Sequence, residues 1–177
     1  MPPRSNIFYL TALIILVSSV VFSQSAKKDN EWKQWHFLIG EWVGEGGGKP
    51  GQATGNFTFD FDLQKKILIR KSVANFSATK EKPAFSHNDL MIIYKEPSSS
   101  TEAMYFDSEG KVIKYTVKFS DDLNSVIFVS VPVANEPIYR LSYIKVNNQK
   151  LNFKFEIARQ ETPGSFSTYL EATVHRK

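Results

Sequence analysis

Two arginines interrupt predicted strands that are otherwise rich in apolar residues. Arg70 lies in segment 67–74 and Arg140 lies in segment 138–146. A guanidinium group stays charged at any working pH, so an arginine facing a protein interior needs an acidic partner or an anionic ligand. We therefore expect at least one of the two to lie inside the folded domain, where it can bind the acidic group of a small molecule.

Tyrosines and a histidine in other predicted strands can supply further polar groups. A ligand pocket needs a few such groups among its apolar side chains to orient the ligand. His87 begins a predicted strand and could face the mouth of a pocket with Asp89 near it, and Tyr143 also lies inside a strand. The candidate ligand-binding residues are Arg70, His87, Tyr94, Tyr105, Tyr115, Arg140 and Tyr169.

No sequence motif assigns catalysis or a metal site. The histidines, His36, His87 and His175, are far apart in the sequence and show no metal-ligand spacing. The chain has no cysteine, which excludes disulfides, thiol nucleophiles and thiolate metal sites. It also lacks a Gly-x-Ser-x-Gly elbow, and the glycine run after Gly44 ends in Lys-Pro, unlike a phosphate loop. We expect no catalytic residue and no metal ligand, and whether the chain is an enzyme stays open.

A period-2 pattern indicates the elements that carry these residues. Phe57, Phe59 and Phe61 alternate with polar residues, and similar short segments recur as far as residue 174. Short turns join them, including a three-residue hairpin loop at 108–110. The pattern predicts an all-β fold, a closed and mainly antiparallel up-and-down barrel of about ten strands. A short helical cover is expected over 29–39, and the longest irregular stretch is expected at 75–88.

The N-terminus has the pattern of a secretory signal peptide. Arg4 precedes an apolar stretch at 7–22 and a zone of small residues, with cleavage expected between Ser23 and Ala26. Residues 1–25 are therefore assigned to the signal and 26–177 to a single barrel domain. An uncleaved membrane anchor is the alternative. We expect a periplasmic or extracellular protein that contacts the membrane only through the signal peptide before its cleavage.

The charge pattern argues against nucleic acid as a partner. Without the signal peptide, the chain has 21 basic and 18 acidic residues, and these alternate in sign along the sequence. Nucleic-acid-binding domains concentrate basic residues on one face or along one helix. We therefore expect a small molecule as the partner.

Residues 37–46, FLIGEWVGEG, resemble the opening motif of the nitrobindin family of calycin-type barrels, and residues 168–174, TYLEATV, resemble its closing strand. The chain is also similar to lipocalins and to exported bacterial barrels of the same general class. The nitrobindin resemblance implies haem b bound by a closing-strand histidine, with nitrogen-oxide chemistry. That position is Tyr169 here, and tyrosinate can bind ferric haem. The structural residues are Gly40, Trp42, Gly44 and Arg176, and the calycin resemblance implies that Trp42 packs under Arg176.

Three functions remain open at this point. The first is binding of a small hydrophobic or amphipathic ligand, acidic or neutral, inside the barrel. The second is haem binding of the nitrobindin type. The third is a structural or interaction module of the cell envelope whose barrel is filled by its own side chains. Strand alternation predicts that Tyr169 points outward if Leu170, Ala172 and Val174 face the interior.

Overall fold

A computed structural model describes residues 31–44, 53–80, 82–98 and 100–177. The predicted signal peptide, its cleavage zone and the glycine run after Gly44 lie outside the described residues. The chain divides into two compact units, Met1–His36 and Phe37–Lys177. In the first, the described residues contain a short 3-10 turn, Lys33–Trp35, in the segment where a short helix is expected. No helix in the described ranges is long and apolar enough to cross a membrane.

The second unit is a closed antiparallel barrel of ten strands in the described part of the chain, so the predicted fold class is confirmed. Each strand pairs with its sequence neighbours, and β1 pairs with β10 to close the sheet. The strands are β1 Gly40–Gly44, β2 Ala53–Asp62, β3 Ile67–Phe76, β4 Phe85–Lys95, β5 Thr101–Asp107, β6 Val112–Phe119, β7 Ser125–Ser130, β8 Ile138–Asn147, β9 Lys150–Ala158 and β10 Ser167–Arg176.

Trp42 and Arg176 join the first and last strands. The Arg176 guanidinium lies 4.3 Å from the centre of the fully buried Trp42 ring, and the Trp42 indole Nε1 donates to Leu38 O at 2.7 Å. Arg176 also donates to the carbonyl oxygens of Phe37, at 3.1 Å, and Ile39. The contact implied by the calycin resemblance is therefore present. Gly40 has φ +114°, a backbone conformation that favours glycine, and a Cβ there would lie 2.8 Å from Nη1 at the end of the Arg176 side chain, which would have to shift.

The pairing of β3 with β4 is longer than the sequence pattern predicts. The stretch expected to be irregular, 75–88, is strand at both ends, with Asn75 opposite Ser86 and the Phe76 and Phe85 rings stacked 4.5 Å apart. Polar residues occupy both faces of this part of β4, so hydrophobic alternation gives no signal there. The extension places His87 and Asp89 on a strand and fixes their directions.

Candidate functional site

Ring contacts between distant strands identify the inner face of the barrel. The ring centre of Tyr143 on β8 lies 5.3 Å from that of Phe57 and 5.2 Å from that of Phe59, both on β2. Strands β2 and β8 are not neighbours in the sheet, so these rings meet across the interior. Phe128 on β7 and Phe153 on β9 also contact Tyr143, at 6.1 and 5.5 Å. The middle of the barrel is therefore an aromatic core.

Arg70 lies inside this core. Its Cζ is 5.4 Å from the ring centre of Phe57 and 5.9 Å from that of Tyr143. Its Nη1 donates to Asp89 Oδ1 on the neighbouring strand, and the two side chains are only 5% and 7% exposed. The expectation that one of the two arginines lies inside is met by Arg70, whose acidic partner is Asp89.

The electrostatics of this pair reflect its burial. Burial alone would lower the pKa of Arg70, but Tyr143 and Asp89 outweigh it, and the pKa is raised. Burial raises the pKa of the Asp89 carboxyl above its usual range, although Arg70 and His87 act in the opposite direction. Arg70 is therefore a permanent cation, balanced by one carboxylate that is costly to keep charged.

Two donors in this core have no partner among the described residues. They are Arg70 Nε and the Tyr143 hydroxyl, and both atoms are fully buried. A buried polar group without a hydrogen bond costs about 1–3 kcal/mol. Both groups are hydrogen-bond donors, so an acceptor atom brought into the core would satisfy them.

Tyr105 and Tyr115 continue the polar side of the interior. Their rings meet edge to face at 6.4 Å, and Tyr115 contacts Phe128 at the same distance. Burial raises the pKa of Tyr105, Tyr115 and Tyr143 well above the usual tyrosine range. All three hydroxyls therefore stay protonated and can donate hydrogen bonds to a ligand.

His87 lies at the barrel end where β4 begins and β5 ends, which we call the His87 end. Its Nε2 lies 3.1 Å from the Tyr105 hydroxyl and 3.8 Å from Asp89 Oδ2. Its side chain is 24% exposed, whereas those of Arg70 and Asp89 are almost completely buried. A polar path therefore runs from this end through Tyr105 and Asp89 to Arg70.

Tyr94 and Arg140 lie on the outer wall, not among the interior groups expected from the sequence. The Tyr94 hydroxyl donates to Glu102 Oε2 at 3.2 Å. Arg140 forms a double hydrogen bond with Glu156 on β9, at 2.6 and 2.9 Å, and its Cζ lies 4.0 Å from the ring centre of Phe166. The reason is strand alternation, because Tyr143 faces inward and residues an odd number of positions away on β8 face outward.

The outer-wall carboxylate Glu156 is expected to stabilise the fold in a pH-dependent way. The hydrogen bonds from Arg140 lower the pKa of Glu156, so the native state binds fewer protons there than the unfolded chain. Glu156→Gln should lower the free energy of unfolding by about 1 kcal/mol at pH 7. This difference should disappear as the pH falls below the ordinary glutamate pKa of about 4.3. Urea melts across pH 3–7 measure the difference in unfolding free energy between wild type and variant. Glu161→Gln, at an exposed position, is the control. A difference that does not change with pH would contradict the role of the Glu156 charge.

Tyr169, the position of the implied haem ligand, is the extra residue of a bulge in β10. Thr168 pairs with Glu156 and Leu170 with Phe155, and Tyr169 between them is 74% exposed. Its ring lies 5.9 Å from Phe155, but in the described ranges its hydroxyl has no hydrogen bond or ion pair. A tyrosinate ligand needs neighbouring groups that stabilise its charge. These surroundings therefore do not fit an iron-binding tyrosinate.

Comparison with solved structures supports the barrel fold. The chain is similar to the structure described as "Crystal Structure of Rv2717c from M. tuberculosis", with a TM-score of 0.53 and 14% sequence identity. The match covers 83% of this chain and 97% of the other. At this level of identity, the likeness shows a shared fold and nothing about activity. Searches with family models and against curated proteins gave no match.

Proposed function

We propose that the barrel interior binds a small amphipathic molecule whose head group is a carboxylate. The observation that carries this proposal is the pair of fully buried donors, Arg70 Nε and the Tyr143 hydroxyl, that lack an acceptor in the described chain. A carboxylate oxygen accepts from both kinds of donor, and charge-assisted hydrogen bonds of this type are the strong ones. Aromatic rings around the donors suit the apolar tail of such a ligand.

The route for such a ligand is the His87 end. His87 and Tyr105 are partly exposed there, and both face the same interior as Arg70. On the far side of this end, Tyr139 stacks on Phe155 with ring centres 5.9 Å apart and planes 9° from parallel. One side of the entrance is therefore polar and the other aromatic. These two sides suit the polar head group and the apolar tail of an amphipathic molecule.

Tyr143→Phe tests the proposal with little risk to the fold. The change removes one hydroxyl that has no partner, so the free energy of unfolding should stay the same or rise. Dodecanoate affinity, measured by calorimetry, should fall about tenfold, which corresponds to one lost hydrogen bond to a charged group. Tyr94→Phe on the outer wall is the matched control and should bind as the wild type does.

Three ligands separate the possible outcomes. Dodecanol has the tail of dodecanoate without the carboxylate and should bind more weakly. Hemin is the third probe, and a shifted Soret band would favour the haem alternative instead. Equal dodecanoate affinity in wild type and Tyr143→Phe would exclude Tyr143 from the site. If none of the three ligands binds, the barrel is filled by its own side chains and the proposal fails.

A further inference from the structure

A further group of polar side chains meets at the His87 end and shares His87 with the polar path to Arg70. His87 on β4, Asp107 at the end of β5 and Glu109 in the following hairpin loop each offer one ligand atom, and these atoms lie within 4.8 Å of one another. His87 Nδ1 is 2.9 Å from Glu109 Oε1. The spacing of the histidines in the sequence predicts no metal site, but the β4–β5 pairing brings a histidine to two carboxylates.

Backbone hydrogen bonds hold Asp107 in place. Its Oδ1 accepts from the backbone N–H groups of Glu109, at 3.0 Å, and Lys111, at 2.8 Å. Its Oδ2 lies 3.5 Å from the Tyr105 hydroxyl, which is also 3.1 Å from His87 Nε2. Asp107 Oδ1 is thus hydrogen-bonded to the loop backbone, and Oδ2 lies on the side of the carboxylate that faces Tyr105 and His87.

The hairpin loop is fixed against β4 in the same way. Ser108 N donates to Asn88 O at 2.9 Å, and Asn88 N donates to Ser108 Oγ at 3.2 Å. Gly110 has φ +86°, a conformation that glycine adopts readily, and it completes the turn. Glu109 is therefore held beside His87 by its neighbours, while its own side chain is 61% exposed and can adjust.

The charge in this group is not balanced within the described chain. In the described ranges, no lysine or arginine side chain forms a salt bridge with Asp107 or Glu109. The interior cation Arg70 is paired with Asp89. The nearby Lys111 is turned towards Tyr139, with Nζ 2.5 Å from its hydroxyl, and towards Glu136 at 3.5 Å. Two negative charges beside a histidine would be neutralised by one divalent cation.

We propose that His87, Asp107 and Glu109 form a binding site for a divalent transition-metal ion such as Zn²⁺. Two ligand atoms that each lie about 2.1 Å from one ion are about 3.0–3.4 Å apart. The His87–Glu109 distance is already close to this range, and a small movement of the exposed Glu109 side chain brings the remaining atoms together. An imidazole with two carboxylates suits Zn²⁺, Fe²⁺ or Mn²⁺, whereas Ca²⁺ prefers a shell of oxygens alone.

The test is a titration of the metal-free full chain, made without a polyhistidine tag, with Co²⁺ and Zn²⁺. We expect one ion per chain, seen by calorimetry and by the visible absorption of bound Co²⁺. His87→Ala and Asp107→Asn should each weaken the affinity for the ion at least tenfold. Glu109→Gln should do the same, and because Glu109 is exposed, this change should leave the fold intact. Glu136→Gln, an exposed acid that is not part of the site, is the control. Ca²⁺ should not compete.

Two results would overturn the site. One is the absence of saturable Co²⁺ or Zn²⁺ binding up to millimolar concentration in a wild-type chain that is folded by circular dichroism. The other is binding that is unchanged in both His87→Ala and Glu109→Gln, which would place the ion elsewhere. Neither result bears on dodecanoate binding at Tyr143, so this proposal and the ligand proposal fail separately.

Discussion

Trp42→Ala is expected to lower the free energy of unfolding by about 3–5 kcal/mol, the range for large aromatic truncations in cores. Trp42 is fully buried, and its indole N–H donates to Leu38 O at 2.7 Å. Its ring also supports the Arg176 guanidinium, 4.3 Å away, which binds carbonyl oxygens that precede β1. The substitution therefore opens a cavity and removes a side-chain contact between the two end strands, which are also paired through their backbones. Guanidinium denaturation followed by circular dichroism measures the change.

Two further variants separate the parts of this effect. Trp42→Phe keeps an aromatic ring but removes the indole N–H. It should therefore lower the free energy of unfolding clearly less than Trp42→Ala does. Val43→Ala alters the neighbouring strand residue, which is only half-buried, and should cost no more than about 1.5 kcal/mol. A loss below 1 kcal/mol for Trp42→Ala would mean that the β1–β10 contact contributes little to the stability of the barrel.

The fold class could be predicted because its signals are local. Phe57, Phe59 and Phe61 alternate with polar residues in sequence, and each hairpin has its own turn residues, such as Gly110 in the left-handed conformation. An up-and-down barrel is a chain of such neighbouring hairpins, so local signals add up to the whole topology. In the described part of the chain, the pairing of β1 with β10 is the one hydrogen-bonded strand pair that is distant in sequence, and the motif around Trp42 suggested it.

The interior site was only partly predictable, because the two arginines look alike in the sequence. Arg140 lies between Tyr139 and Leu141, so the alternation on β8 places it outside, opposite Glu156. Arg70 lies on a strand whose two faces are both apolar at its start, Leu68 on one and Ile69 on the other. Only closure of the barrel decides which of these faces is the inner one. That information lies in long-range pairing and not in the strand itself.

Asp89 and Tyr143 were noticed in the sequence but were not among the candidate ligand-binding residues. Asp89 lies where β4 is polar on both faces, a pattern that resembles a loop. What distinguishes Tyr143 from the other strand tyrosines is a fully buried hydroxyl with no hydrogen-bond partner among the described residues, and no sequence pattern reveals this. A polar residue inside a barrel is recognised by what lies opposite it, and β8 faces β2 only after the sheet has closed.

Arg70→Met should destabilise the barrel by about 3–5 kcal/mol, the cost of removing one member of a buried ion pair. Methionine has a similar length and fills most of the space, so loss of packing is a small part of this cost. The larger part is Asp89, whose side chain is only 7% exposed: without the cation it must either stay charged in the core or take up a proton at neutral pH, and both cost free energy. Urea melts at neutral pH, with the m-value checked for a change in the unfolded state, measure the difference.

The Asp89→Asn variant separates this electrostatic cost from a simple loss of contacts. Asp89→Asn alone leaves Arg70 charged and should also be destabilising. In the double variant Arg70→Met with Asp89→Asn, no charge remains in the core, and much of the lost stability should return. The double-mutant cycle formed by these variants should therefore give a coupling free energy of more than 1 kcal/mol between the two residues, as expected for side chains in direct contact. Additive effects of the two changes would show that water reaches Asp89 and screens the pair, and the interior at Arg70 would then be an open, hydrated site rather than a buried one.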